Sequence, residues 1–293
     1  MVKNATIDFE KRHEFLVAID SDGCAFDTME LKHKECFIPN IINSWNLQAV
    51  SKYARAAAEF VNLYSKWRGI NRFPGLIMVF DLLQELPQVQ ARKTAIPSAQ
   101  SLRDWIARES KLGNPTLKAE IERTGDPVLK QALAWSEAVN ADIARMVHDV
   151  PPFASVRESL EKLQNVADVM VCSATPIEAL QREWEEHDIA RYVRVIAGQE
   201  IGSKKEQLAM AVNGRYKPEN VLMIGDALGD LSAARANSIR FFPINPGCEE
   251  RSWENFFKMY SDDFVNGQYS DAVEHKLIVE FEEFLPAVPP WKK

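Results

Sequence analysis

The sequence predicts an α/β protein: a parallel sheet with helices on both faces, broken by one long helical insertion. Three observations carry this expectation. Apolar runs of strand length recur along the chain, and most end abruptly in acidic or small polar residues. Stretches with apolar residues at three- and four-residue steps separate most of these runs. Strands that alternate with helices favour a parallel sheet, because a parallel crossover needs a helix-sized connection. From about Thr28 to Asp149 the strand signal is absent and helical spacing takes over.

The first strand is Phe15-Leu16-Val17-Ala18-Ile19, apolar on both faces, and it runs into Asp20-Ser21-Asp22-Gly23. The second is Val169-Met170-Val171-Cys172, which runs into Ser173-Ala174-Thr175. Val193 to Gly198 gives the third strand. The fourth is Val221-Leu222-Met223-Ile224, ahead of Gly225-Asp226 with Asp230 four positions on, and Ile239 to Ile244 gives the fifth. Helices are expected over 156–163, 177–186, 206–212 and 231–237. In an open parallel sheet the C-terminal strand ends share one edge, where ligands bind. The acids, the hydroxyls and a lysine from Ser203-Lys204-Lys205 therefore converge. Asp20 and Asp22 are separated by one residue. Like charges this close call for a positive partner, most simply a hard cation such as Mg²⁺.

The order Asp20-Ser21-Asp22-Gly23, then Ser173, then Lys204 or Lys205, then Gly225-Asp226 with Asp230 resembles the four motifs of the haloacid dehalogenase-like hydrolase superfamily. Each motif is weak alone, but four in order at strand and helix ends form a specific signal. The resemblance implies a Rossmann-like three-layer core, residues 1–27 and 150–245, with an inserted α-helical cap, residues 28–149. Such caps resemble those of phosphoglycolate phosphatase-like and β-phosphoglucomutase-like members. The resemblance further implies a Mg²⁺-dependent phosphatase that hydrolyses a small phosphorylated metabolite through an aspartyl-phosphate. A phosphomutase and a non-catalytic phospholigand-binding protein are the alternatives. Dehalogenases and phosphonatases depart from the pattern at the second acid, and Asp22 is present.

What the resemblance implies for single residues agrees with the chemistry. Asp20 would be the in-line nucleophile that becomes an acyl phosphate. Asp22 would protonate the leaving oxygen and then deprotonate water. Mg²⁺ would sit between Asp20, the Asp22 backbone carbonyl and Asp226, with Asp230 completing the site or orienting the lysine. Ser173, helped by Ala174 and Thr175, would bind a phosphoryl oxygen. Lys204, at the loop-to-helix junction, is preferred over Lys205 as the residue that neutralises charge on Asp20 and the phosphate.

In the insertion, helical stripes run from Lys52 to Trp67 and from Val128 to Val147, and Pro74, Pro87, Pro97, Pro115 and Pro127 divide the rest. Lys66-Trp67-Arg68-Gly69-Ile70-Asn71-Arg72 is a cationic stretch in an otherwise acidic protein. Arg68 or Arg72 could reach an anionic part of a substrate, and a solvated helix end explains the same charges. His33 reads as an ordinary helix residue. Aromatic stripes after Ile244 predict a pair of helices, residues 246–293, packed on the core.

Bulk composition narrows the partners. The net charge of −7 and the lack of a basic tract argue against nucleic acid. The four cysteines have no zinc or redox spacing and point to a reduced, cytoplasmic setting. No apolar stretch reaches membrane-spanning length. The expected partner is a small phosphorylated substrate, with no nucleic acid or membrane, bound by a monomer or homodimer.

Overall fold

The computed structural model describes residues 7–292; residues 1–6 and 293, the outer ends of the expected core and extension, lie outside the described residues. The chain divides into two compact units, 7–29 with 149–286, and 30–148 with 287–292.

The first unit holds a five-stranded sheet, all of it parallel. Its strands are β1 (Phe15–Ile19), β2 (Ala167–Cys172), β3 (Val195–Ala197), β4 (Val221–Gly225) and β5 (Arg240–Pro243). The order is β3-β2-β1-β4-β5. The chain therefore builds outward from β1 through β2 to β3 and then returns to the other side of β1. The crevice where the order reverses lies between the C-terminal ends of β1 and β4, the place where such sheets bind ligands. Register holds these ends level, with Ile19 paired to both Val171 and Ile224.

Strand periodicity explains the two layers of helices. Val17, Ile19, Val169, Val171, Leu222 and Ile224 share one buried cluster with Val156, Leu160, Leu180, Trp184, Trp253 and Phe256. Their alternates Leu16, Ala18, Met170, Met223 and Phe241 share another with Leu208, Ala211, Leu231, Ala234, Ile278 and Phe281. Residues of one strand point alternately to opposite faces, so apolar runs without alternation must be buried on both. The helices Val156–Leu163, Ile177–Glu186 and Glu249–Asn255 thus cover one face. Lys204–Val212, Leu228–Ala236 and Asp271–Phe284 cover the other. The aromatic tail is split between the two layers, with Trp253 and Phe256 on one side and Phe281 on the other. Trp253 also donates its indole N–H to the Cys24 carbonyl at 2.7 Å, which ties the tail to the loop after β1.

The second unit is helical. Its main helices are Ser51–Asn62, Arg72–Glu85, Gln100–Arg108, Asn114–Thr124 and Pro127–Met146. Pro87, Pro115 and Pro127 stand in the first turn of a helix, where the missing N–H costs nothing. Phe73, Phe80, Trp45, Trp105 and Trp135 interlock edge to face in its core. Against the expectation of an extension lying wholly on the core, residues 287–292 group with this unit. The reason is Trp291, whose ring packs on Phe60 at 5.7 Å. Among the described residues, no helix is long and apolar enough to cross a membrane.

Candidate active site

Asp20 follows β1 directly, and its N–H continues the ladder to the Ile224 carbonyl at 3.0 Å. The chain then turns back on itself. The N–H groups of Cys24, Ala25 and Phe26 all reach the Ser21 carbonyl, and Gly23 takes a φ of 77°, which favours glycine. The turn aims Asp20 and Asp22 in different directions. One oxygen of Asp20 accepts from the Ser21 N–H at 2.8 Å, and the other faces the Lys204 ammonium at 2.8 Å. Asp22 instead accepts from two hydroxyls, Thr28 at 2.5 Å and Thr175 at 2.7 Å. Ser21, between them, is buried. Its hydroxyl donates to Glu183 at 2.8 Å and accepts from the Trp184 indole at 2.9 Å.

The loop after β4 supplies two more carboxylates. Asp226 is buried at the strand end, and Asp230 is buried in the first turn of Leu228–Ala236. One oxygen of Asp230 accepts from the Ala227 N–H at 3.1 Å, and the other is 2.5 Å from the Lys204 ammonium. Gly225 makes this possible, because a Cβ there would lie 2.6 Å from an Asp230 carboxylate oxygen. Lys204 opens the helix Lys204–Val212 behind a capping box of Ser203 and Glu206. Lys205, one position on, is exposed. Of the two candidate lysines, it is Lys204 that meets Asp20 and Asp230.

Ser173 ends β2. Its N–H bonds the Ala197 carbonyl at 3.0 Å, and its hydroxyl accepts from the Thr175 N–H at 3.2 Å. Ala174 is exposed and Thr175 is half-buried. Arg68 and Arg72 both make hydrogen bonds within the helical unit. Arg68 is buried and donates to the Leu63 carbonyl at 2.8 Å. Arg72 donates to the Ser136 carbonyl and hydroxyl and to Asn140, and its guanidinium lies 5.0 Å from the centre of the Phe37 ring. Burial lowers its pKa to about 10. Both arginines spend these donors on holding the helical unit together.

The model of the haloacid dehalogenase-like hydrolase family matches residues 16–237, most of the chain. The chain belongs to the haloacid dehalogenase-like hydrolases. Solved structures similar to this haloacid dehalogenase-like hydrolase share little of its sequence. A hydrolase of the same family from Xanthomonas campestris has a TM-score of 0.49 at 12% identity, over 90% of this chain and 98% of that one. A predicted phosphatase from Clostridium acetobutylicum has a TM-score of 0.45 at 15% identity, over 92% of this chain and 100% of that one. CbbY from Rhodobacter sphaeroides, in complex with phosphate, has a TM-score of 0.43 at 12% identity, over 82% and 89%. Among curated proteins none matches the sequence.

The electrostatics of this haloacid dehalogenase-like hydrolase are unbalanced at the crevice. Asp20, Asp226 and Asp230 each offer a carboxylate oxygen, all within 4.8 Å of one another. Burial pushes the Asp20 carboxyl well above its ordinary value, against the pull of Lys204, and Asp230 and Asp226 add to the rise. Burial likewise raises Asp230. Burial opposes the charge on Lys204, yet Asp20 and Asp230 outweigh it and hold the ammonium well above its usual range. Among the described residues, Lys204 pairs with two of these three clustered carboxylates, Asp20 and Asp230. An all-oxygen, buried, excess-negative donor set fits a hard divalent cation. Asp20, Asp226 and Asp230 are the residues that would hold it.

Sequence reasoning does not single out Thr28, Glu183, Trp184 or Gln207, all of which touch the motif residues. Thr28 lies six positions after Asp22, close enough to be suspected as its partner. Glu183, Trp184 and Gln207 each meet a motif residue from a different stretch of the chain, Ser21 for the first two and Ser173 for Gln207, and leave no local pattern.

Proposed function

We propose that this hydrolase is a Mg²⁺-dependent phosphatase that hydrolyses a small phosphorylated metabolite through an aspartyl-phosphate. The observation that carries the reading is the split of roles between two carboxylates. Asp20 faces the half-buried Lys204 ammonium beside two further carboxylates, whereas Asp22 is held by the Thr28 and Thr175 hydroxyls. An Asp20 oxygen attacks phosphorus, and the P–O bond to the leaving group breaks. The leaving oxygen takes the proton of Asp22. Asp22 then takes a proton from water, whose oxygen attacks phosphorus, and the bond to Asp20 breaks with release of inorganic phosphate. Ser173, with the Ala174 and Thr175 turn, binds the phosphoryl oxygens, and Lys204 offsets charge on Asp20 and the phosphoryl group. A bound Mg²⁺ supplies charge neutralisation on the phosphoryl oxygens.

The proposal includes a cytoplasmic setting for a monomer or homodimer, in keeping with four cysteines that form no disulfide. It assigns substrate choice to the inserted segment, residues 28–149. The test is phosphate release from an aryl phosphate and a panel of phosphometabolites, with Mg²⁺ or with EDTA. Release with Mg²⁺ and loss of release in EDTA are expected. No release from any compound, with Mg²⁺ still bound, would transfer the reading to a phosphomutase or a phospholigand-binding protein.

A further inference from the structure

Gln207 is fully buried in the helix that Lys204 opens, three positions beyond that lysine. Its side-chain amide nitrogen, with two N–H donors, lies within hydrogen-bond distance of three backbone carbonyls from three separate segments. These are Ser173 at the end of β2 at 2.9 Å, Gly198 at the end of β3 at 3.0 Å, and Gly202 in the turn before Lys204 at 3.0 Å. Its amide oxygen is buried and has no hydrogen-bond partner. A buried acceptor without a partner is costly, and a leucine or methionine would avoid that cost. The three carbonyls account for an amide at this position.

The three segments crowd together. A Cβ on Gly198 would lie 2.6 Å from the Thr175 carbonyl oxygen and 2.7 Å from the Ile177 nitrogen, so the end of β3 is pressed against the turn after Ser173. Gly202 has a φ of 129°, and a Cβ there would lie 2.7 Å from a Glu206 carboxylate oxygen. Peptide geometry turns this clamp into a pointing device. A trans peptide is planar, and its C=O and N–H point in opposite directions. With the Ser173 carbonyl drawn to Gln207, the N–H of Ala174, an exposed residue, is aimed away from Gln207.

We propose that Gln207 is a positioning residue, which fixes the Ser173–Ala174 peptide so that the Ser173 hydroxyl and the Ala174 N–H face a phosphoryl group. The inference rests on the phosphatase reading and extends it to a residue that never touches the substrate. Methionine at this position keeps the bulk and loses the donors, so the peptide can rotate and one charge-assisted hydrogen bond to the phosphoryl group is lost.

The test is steady-state hydrolysis of an aryl phosphate by the full chain and its Gln207→Met variant, with inorganic phosphate as product inhibitor. The expected result is a rise of about tenfold in both KM and the phosphate inhibition constant, the value of one such bond. A merely structural role lowers the fraction of folded enzyme, which reduces kcat and leaves both constants unchanged. That result, or no change at all, overturns the proposal. Gln207→Asn keeps the amide but shortens its reach. If the methionine variant does not fold, the asparagine variant is expected to show the same two rises, smaller in size, and unchanged constants in it overturn the proposal equally. Absence of phosphate release by the wild type would instead remove the phosphatase reading, and this inference with it.

Discussion

Asp20→Asn is expected to abolish phosphate release, with kcat lowered by about four orders of magnitude or more, the scale seen when a nucleophile is removed. Asparagine matches the shape of aspartate and keeps an oxygen for the Ser21 N–H. Its amide cannot form the acyl phosphate, so the first chemical step is lost. The fold should survive. The change removes one of three clustered buried carboxylates and leaves Lys204 paired with Asp230. Circular dichroism and aryl phosphate hydrolysis, measured on one preparation, check both halves. A folded variant that keeps a tenth of the wild-type rate would place the nucleophile elsewhere.

Lys204→Met has the second largest expected effect, on stability as well as rate. Lys204 is the ammonium that faces Asp20 and Asp230, both buried. Removing one partner from a buried ion pair costs about 3–5 kcal/mol, because the other charge is left uncompensated. The rate should fall by roughly two to three orders of magnitude, as when a donor to developing charge is removed. The pH dependence has a definite sign. Burial already holds the Asp20 and Asp230 carboxyls above their ordinary values, and Lys204 works against that rise. Without the lysine both rise further. A carboxyl raised in the folded state binds a proton that the unfolded chain has released, so stability is greatest at low pH. That stability is lost as pH climbs from the unfolded carboxylate range through the folded value. Measured in EDTA, the Tm deficit of the variant should be largest at neutral pH and shrink on acidification. A deficit that grows on acidification would contradict this electrostatic account.

Much of the core is legible in the sequence because it rests on strands buried on both faces. Val17 and Leu16 belong to opposite clusters, so the run around them has to be apolar throughout. The strand-end acids are legible for the same reason, since Asp20 and Asp226 interrupt such runs abruptly. The choice between Lys204 and Lys205 depends on a rotation of one residue about a helix axis, which spacing alone does not define. Arg68 and Arg72 show the opposite difficulty. A cluster of cations suggests an anion, and the hydrogen bonds from Arg68 to Leu63 and from Arg72 to Ser136 and Asn140, all neutral groups, are contacts that no charge pattern reveals. Gln207 is invisible for a related reason. Its three partners are backbone carbonyls, which every residue carries, and only the fold brings them to one amide. Residues 287–292 carry too short an apolar signal to show which unit Trp291 joins.

The most direct measurement of the central claim is acid quenching during turnover of an aryl phosphate with Mg²⁺, followed by mass spectrometry of the peptide that contains Asp20. The account predicts one added phosphoryl group on Asp20, stable in acid, lost in mild base and absent from Asp20→Asn. Steady phosphate release with no label on Asp20, or with label on another residue, would contradict it.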